Sequence, residues 1–176
     1  MAKSFRVGGQ LFNAPSIPLF GPPKKKERLI VKTILFICTG NTCRSAMAEG
    51  ILNAMAQTRH SPVRAISCGL AAYPGDPAMP QAIAAVKTYG VDLTRHRARK
   101  ITKYILEEAD VIFCMTQRHK EMLLKMAPDQ EEKLHCLCQR DIPDPFGKDQ
   151  AEYEIVAREL FHAIDRILEQ EAKEKP

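Results

Sequence analysis

LIVKTILFI-CTGNTCRS, residues 29–45, is the stretch whose reading decides the fold. Leu29–Ile37 is apolar and β-branched, the composition of a strand buried in a sheet. The polar residues 38–45 that follow contain Gly40 and read as a loop. Ala46–Arg59 then sets Met47, Ile51 and Met55 at helical spacing.

The same alternation continues outward. Val63–Ser67 reads as a short strand. Pro77–Tyr89, with Ile83, Val86 and Tyr89, suits a helix that Gly90 ends. Ile101–Glu108 starts another helix, Val111–Met115 (VIFCM) is a buried strand, and Arg118–Met126 is helical. Lys133–Leu137 is a fourth strand, and Asp141–Gly147 is a Pro-rich loop. Ala151–Glu171 is a long helix with Ile155, Leu160, Ile164 and Leu168 along one face. Strands alternating with helices predict an α/β fold of three α/β/α layers, with a central, mostly parallel four-stranded sheet. Ligands of such sheets sit at the carboxyl ends of the strands, where the loop after Ile37 lies.

Composition bounds the function. The chain has 176 residues, 45% hydrophobic and 27% charged, which suits one globular domain and excludes a wholly disordered chain. No apolar run approaches the roughly 20 residues of a membrane span. The net charge of +5 is concentrated in residues 1–28, while bases and acids balance over the rest. The body thus has no footprint for nucleic acid. Residues 1–28 read as a basic, flexible extension, with Gly8-Gly9 and Gly21-Pro22-Pro23 breaking regular structure, ahead of a domain over 29–176. A transit-peptide reading fits the late first acid, Glu27, but not the shortage of serine. The six cysteines, without a secretory apolar segment, point to free thiols in a reducing, cytoplasmic setting.

The loop carries the chemistry. A strand-to-helix turn points backbone N–H groups inward as an anion nest, reinforced by the helix N-terminus. Gly40 and Asn41 tolerate the left-handed backbone that such a curl requires. Arg44 adds a planar fork matched to phosphate oxygens. Cys38 opens the loop with its sulfur toward the bound anion. Nearby N–H dipoles and Arg44 favour its thiolate, a nucleophile placed for in-line attack on phosphorus. Cys-x5-Arg alone is a weak signal; strand, Gly-Asn, Arg-Ser and helix in register make it specific. Phosphoryl transfer also needs an acid for the leaving group. Asp144, stiffened by Pro143 and Pro145, is the candidate, with Asp141 as a competitor that lacks the Pro-aromatic pair.

These residues resemble the low-molecular-weight protein phosphatases over residues 31–172. The matching segments are ILFICTGNTCRSAMAE, SCGL (67–70), YGVDLTRHRAR (89–99), EEADVIFCMTQRHKEML (107–123) and DPFG (144–147). The resemblance implies that fold, phosphoprotein substrates, a phosphocysteine on Cys38, Arg44 as phosphoryl clamp and Asp144 as proton donor and acceptor. It places Thr39, Gly40, Asn41, Thr42, Cys43, Ser45 and Phe146 around the substrate, with Ser45 on the thiolate. It makes Asn41, Ser67 and His96 a loop-supporting network, and implies no metal or other cofactor. Thr42, where tyrosine-specific relatives carry a bulkier aliphatic residue, and Phe146-Gly147, where they often carry two aromatics, look like the protein arginine phosphatase branch. Phosphotyrosine is the alternative substrate. Remoter alternatives are an arsenate reductase, which lacks its second cysteine pair here, and a phosphate binder, which would need neither Cys38 nor Asp144. Ala46 and Cys68 depart from the family pattern at a usual proline and alanine.

The other cysteines divide. In relatives the counterparts of Cys38 and Cys43 can form a reversible protective disulfide; packing is the other reading of Cys43. Cys114 and Cys68 read as packing. His135-Cys136-Leu137-Cys138 looks like a metal corner without the second ligand pair zinc needs. The arginines around His96 read as a solvated face.

Overall fold

The computed structural model describes residues 31–173 and the backbone of residues 4–7 and 10–13. Strands β1 (Ser4–Val7) and β2 (Gln10–Asn13) pair antiparallel, with Val7 opposite Gln10. The expectation that Gly8-Gly9 prevents regular structure is corrected here. A Gly-Gly pair between two short runs is also the sequence signature of a two-residue hairpin connection. The remainder of the expected extension lies outside the described residues.

The body runs β3 (Lys32–Cys38), α1 (Arg44–Thr58), β4 (Val63–Gly69), α2 (Pro80–Lys87), α3 (Lys103–Glu108), β5 (Val111–Cys114), α4 (Gln117–Met126), β6 (Leu134–Cys136) and α5 (Gln150–Lys173). A 3₁₀ turn, Pro128–Lys133, precedes β6 and was not foreseen from sequence. The four strands from β3 to β6 form one parallel sheet in the order β4-β3-β5-β6. The chain leaves β3 toward β4 on one side and returns to β5 on the other. The loop at the end of β3 therefore opens at the switch point of the sheet, where α/β folds bind ligands.

Strand β3 sorts its side chains by parity. Ile34, Phe36 and Cys38 face a core shared with α1, α2 and α5. Leu35 and Ile37 face a second core with Leu106 of α3 and Leu123 of α4. Burial on both faces is why the strand reads as a continuous apolar run.

Helix α5 buries Tyr153, Val156, Ala157, Leu160, Ala163, Ile164, Ile167 and Leu168. The expected member Ile155 is instead 49% exposed. Five residues before Leu160, it sits about 140° around the helix, whereas Tyr153, seven residues before, returns to the buried face. Helix α2 begins at Pro80, later than expected, with the proline in its first turn. Strand β4 extends to Gly69, which brings it beneath the loop.

Gly50 of α1 lies against the segment after α2. A Cβ there would overlap Cγ1 of Val91 and come within 3.1 Å of Leu93 Cδ2. Val91 is β-branched and cannot swing aside cheaply. Gly50→Ala is therefore expected to lower stability by about 1–3 kcal/mol, reversing the gain of about 1 kcal/mol that alanine brings to an open helix. Denaturant unfolding of parent and variant checks the sign.

Candidate active site

The loop begins where β3 ends. Cys38 pairs in register with Gly69 of β4, and the ladder runs on into the loop: Leu70 N–H donates to Cys38 O (3.0 Å) and Ala71 N–H to Thr39 O (2.9 Å). Gly69 is required here, because a Cβ would sit 2.5 Å from Thr39 O and 2.9 Å from Asn41 N. Asn41 turns the chain with φ +57°. Helix α1 starts three residues later at Arg44, so its unpaired first-turn N–H groups lie at the loop.

Asn41 is fully buried and uses nearly every polar atom. Its N–H donates to Cys38 Sγ (3.3 Å), and its Nδ2 donates to Ser45 Oγ (2.9 Å) and Ser67 Oγ (2.7 Å). Its Oδ1 accepts from Arg99 N–H (2.8 Å), and its carbonyl accepts from His96 Nε2 (2.8 Å). Ser67 donates to Glu49, which also receives Arg99 at 3.3 Å. Ser45 Oγ, supplied by Asn41, stands 2.9 Å from Cys38 Sγ.

Arg44 is only 4% exposed. Its Nη2 donates to Asp144 Oδ2 at 2.6 Å and its Nη1 to Ile142 O at 3.1 Å, while its buried Nε–H has no acceptor. Asp144 is half exposed and braced by Phe146 N–H on Oδ1 (3.2 Å). Asp141 instead accepts from Gln117 N–H at the start of α4 (2.7 Å) and is not part of the cleft lining.

The cleft above Cys38 has a volume of about 310 Å³. Thr39, Gly40, Thr42, Cys43 and Phe146 line it, and Asn41 and Ser45 are fully buried behind it. Sequence reasoning missed Tyr73 and Asp76, which complete the rim from the loop after β4. It also gave no site role to Glu49, Gly69, Tyr153 and His119. Tyr153 Oη lies 3.4 Å from Cys43 Sγ. His119 bridges Thr39 Oγ1 and Thr116 Oγ1, each at 2.9 Å. Burial, and then the Arg44 charge, hold the imidazole below its usual pKa. The phase of α5 is the sequence signal that could have found Tyr153; the others arise from contacts distant in sequence.

Of the remaining thiols, only Cys43 lines the cleft. Burial pushes Cys68 and Cys114 up to about 12, and raises Cys43 despite its hydrogen bonds to Tyr153 and Thr42. Cys136 Sγ donates to Gln117 Oε1, and among the described residues no three His, Cys, Asp or Glu side chains converge as a metal site.

A buried thiol at a strand-to-helix loop, beside a buried arginine paired to a carboxylate, is an arrangement suited to phosphoryl chemistry in an α/β enzyme. The family model for low molecular weight phosphotyrosine protein phosphatase matches residues 33–176, and the chain belongs to that family of hydrolases. It is 35% identical to the low molecular weight protein-tyrosine-phosphatase Wzb of Escherichia coli K12, over 80% of this chain and 90% of that protein. It is equally, 35%, identical to the protein-arginine-phosphatase of Geobacillus stearothermophilus, over 77% of this chain and 93% of the relative. Among solved structures, a YwlE arginine phosphatase, a Cys-to-Ser mutant with a phosphorylated active-site serine, superposes with a TM-score of 0.78 at 30% identity. That match covers 81% of this chain and 97% of the other.

Gly69 supports the loop by making room for it. Gly69→Ala is expected to displace Thr39 O and Asn41 N, lowering kcat/KM on an aryl phosphate by about 100-fold and stability by about 1–3 kcal/mol. Steady-state kinetics alongside thermal unfolding separate the two effects.

Proposed function

We propose that this phosphatase hydrolyses phosphorylated protein side chains through a phosphocysteine on Cys38, with phosphoarginine as its substrate. The observation that carries the mechanism is the joint placement of Cys38 Sγ, held by Asn41 N–H and Ser45, and the Arg44–Asp144 pair on one cleft. The Cys38 thiolate attacks phosphorus in line with the leaving nitrogen. The P–N bond breaks as the S–P bond forms, and the leaving nitrogen takes the proton of the Asp144 carboxyl. The Asp144 carboxylate then takes a proton from water, whose oxygen attacks phosphorus and returns Cys38 as thiolate. Loop N–H groups and Arg44 stabilise the equatorial oxygens, and the unpartnered Arg44 Nε–H gains an acceptor there. The phosphorylated serine in the Cys-to-Ser relative supports a covalent intermediate.

The arginine assignment rests on the lining. Thr42 is short and offers a hydroxyl to a polar phosphoguanidinium, and Phe146, 65% exposed at the rim, offers one ring to its plane. The second reading is a protein tyrosine phosphatase, supported by the Escherichia coli relative at the same identity. The setting we propose is the cytoplasm, where free thiols persist.

The deciding experiment is kcat/KM on phosphoarginine and phosphotyrosine versions of one peptide. The parent is expected to prefer phosphoarginine, and Thr42→Ile to reverse that preference; a parent that prefers phosphotyrosine overturns the assignment and leaves the mechanism. Cys38→Ser is expected to abolish turnover on both, and Asp144→Asn to lower kcat about 100-fold or more.

Cys43 gives a redox expectation. Peroxide converts the Cys38 thiolate to a sulfenic acid. The Cys43 thiol condenses with it, releasing water and leaving a disulfide that a dithiol reduces. Parent enzyme should recover activity with dithiol after mild peroxide, and Cys43→Ser should recover poorly. Equal recovery in the two would refute a protective role for Cys43.

A further inference from the structure

The cleft has a charge imbalance that phosphate binding alone does not explain. Its lining holds two carboxylates, Asp76 and Asp144, and one side-chain cation, Arg44. Arg44 is paired with Asp144. Asp76 enters no ion pair among the described residues. Arg97, bridged to the neighbouring Pro77, turns its guanidinium back onto Thr94 O and His96 O. A surplus carboxylate at the mouth of a dianion site repels the ligand, unless the ligand carries a positive charge beside its phosphoryl group.

Asp76 is also firmly placed. Tyr73-Pro74-Gly75-Asp76 is a reverse turn with proline at its second position, Gly75 at φ +95° in its third, and Asp76 N–H on Tyr73 O at 3.2 Å. Gly75 N–H donates to Ala98 O (2.9 Å) and Ala98 N–H to Asp76 O (2.8 Å), tying the turn to the segment that carries His96 and Arg99. The turn presents Tyr73, 78% exposed, and Asp76 to the same cleft that Phe146 borders.

We propose that Asp76 is a specificity-determining residue whose carboxylate accepts N–H groups from the guanidinium of a phosphorylated arginine, selecting it over the neutral ring of phosphotyrosine. The proposal deepens the arginine reading above and rests on it for its substrate. Tyr73 and Phe146 offer ring faces to the same planar cation.

The test compares parent, Asp76→Asn and Asp76→Glu on phosphoarginine and phosphotyrosine versions of one peptide that has no other charged side chain. Competitive inhibition of para-nitrophenyl phosphate hydrolysis by arginine amide is measured in parallel. Asp76→Asn is expected to lower kcat/KM for phosphoarginine about 5- to 10-fold, the loss of one charged hydrogen bond at an exposed rim. Turnover of phosphotyrosine should rise, arginine amide should inhibit several-fold more weakly, and Asp76→Glu should keep the preference. An equal fall on both substrates, or no change in either substrate or in inhibition, overturns the proposal. If the parent does not turn over phosphoarginine, the arginine reading fails by itself. The inhibition arm then decides for Asp76: weakened inhibition in Asp76→Asn upholds a guanidinium contact, and unchanged inhibition removes it.

Discussion

The site depends on one buried amide. Asn41 stands in left-handed backbone, which costs most side chains about a kilocalorie per mole or more, and it is fully enclosed. What fixes it there is the number of bonds it makes. Two serines, the Arg99 amide, the His96 ring and the Cys38 sulfur are all anchored to this residue. An asparagine is the side chain that fits, because it supplies two donors and an acceptor while accepting a positive φ. The backbone curl of the loop and the side-chain web that holds Cys38 are thus one constraint.

The second constraint is electrostatic. A guanidinium as buried as that of Arg44 is costly unless its protons find acceptors. Asp144 and the Ile142 carbonyl provide two, both from the loop before α5, and this draws the acid over the thiol. The ion pair is asymmetric: the arginine is enclosed and the carboxylate faces solvent. In the proposed mechanism a phosphoryl group meets a cation already desolvated and oriented, so little reorganisation remains when it binds.

Much of this was legible in sequence. Strand β3, its loop and α1 were readable because an apolar run, Gly-Asn and Arg-Ser each encode a local conformation. The union of Cys38, Arg44 and Asp144 follows from the chemistry that one phosphoryl transfer needs, and the fold brings them to one cleft. The supporting residues were harder. Gly69 looks like any glycine at a strand end, and its necessity comes from the Thr39 carbonyl packed on it. Glu49 looks like a solvent residue of an amphipathic helix, yet it closes the web through Ser67 and Arg99. Ile155 misled because hydrophobicity without strict phase does not fix a helix face, and Tyr153 carried the face that meets Cys43.

Strand parity explains why, of the three cysteines on strands β3, β4 and β5, Cys38 alone faces the cleft. Ile37 pairs with Cys68 on one side and Cys114 on the other, so both thiols share its face and lie in the aliphatic core of α3 and α4. Burial there keeps them protonated, with pKa values near 12. Cys38 is one residue further along and points to the opposite face, where the loop donates to its sulfur. A one-residue slip of β3 would bring an isoleucine to the floor of the cleft, because side chains alternate with period two. The register Cys38 to Gly69 opposes this, since a side chain opposite Cys38 would meet the Thr39 carbonyl and the Asn41 amide. Sheet register, a property of the fold, thereby sets which strand cysteine faces the cleft.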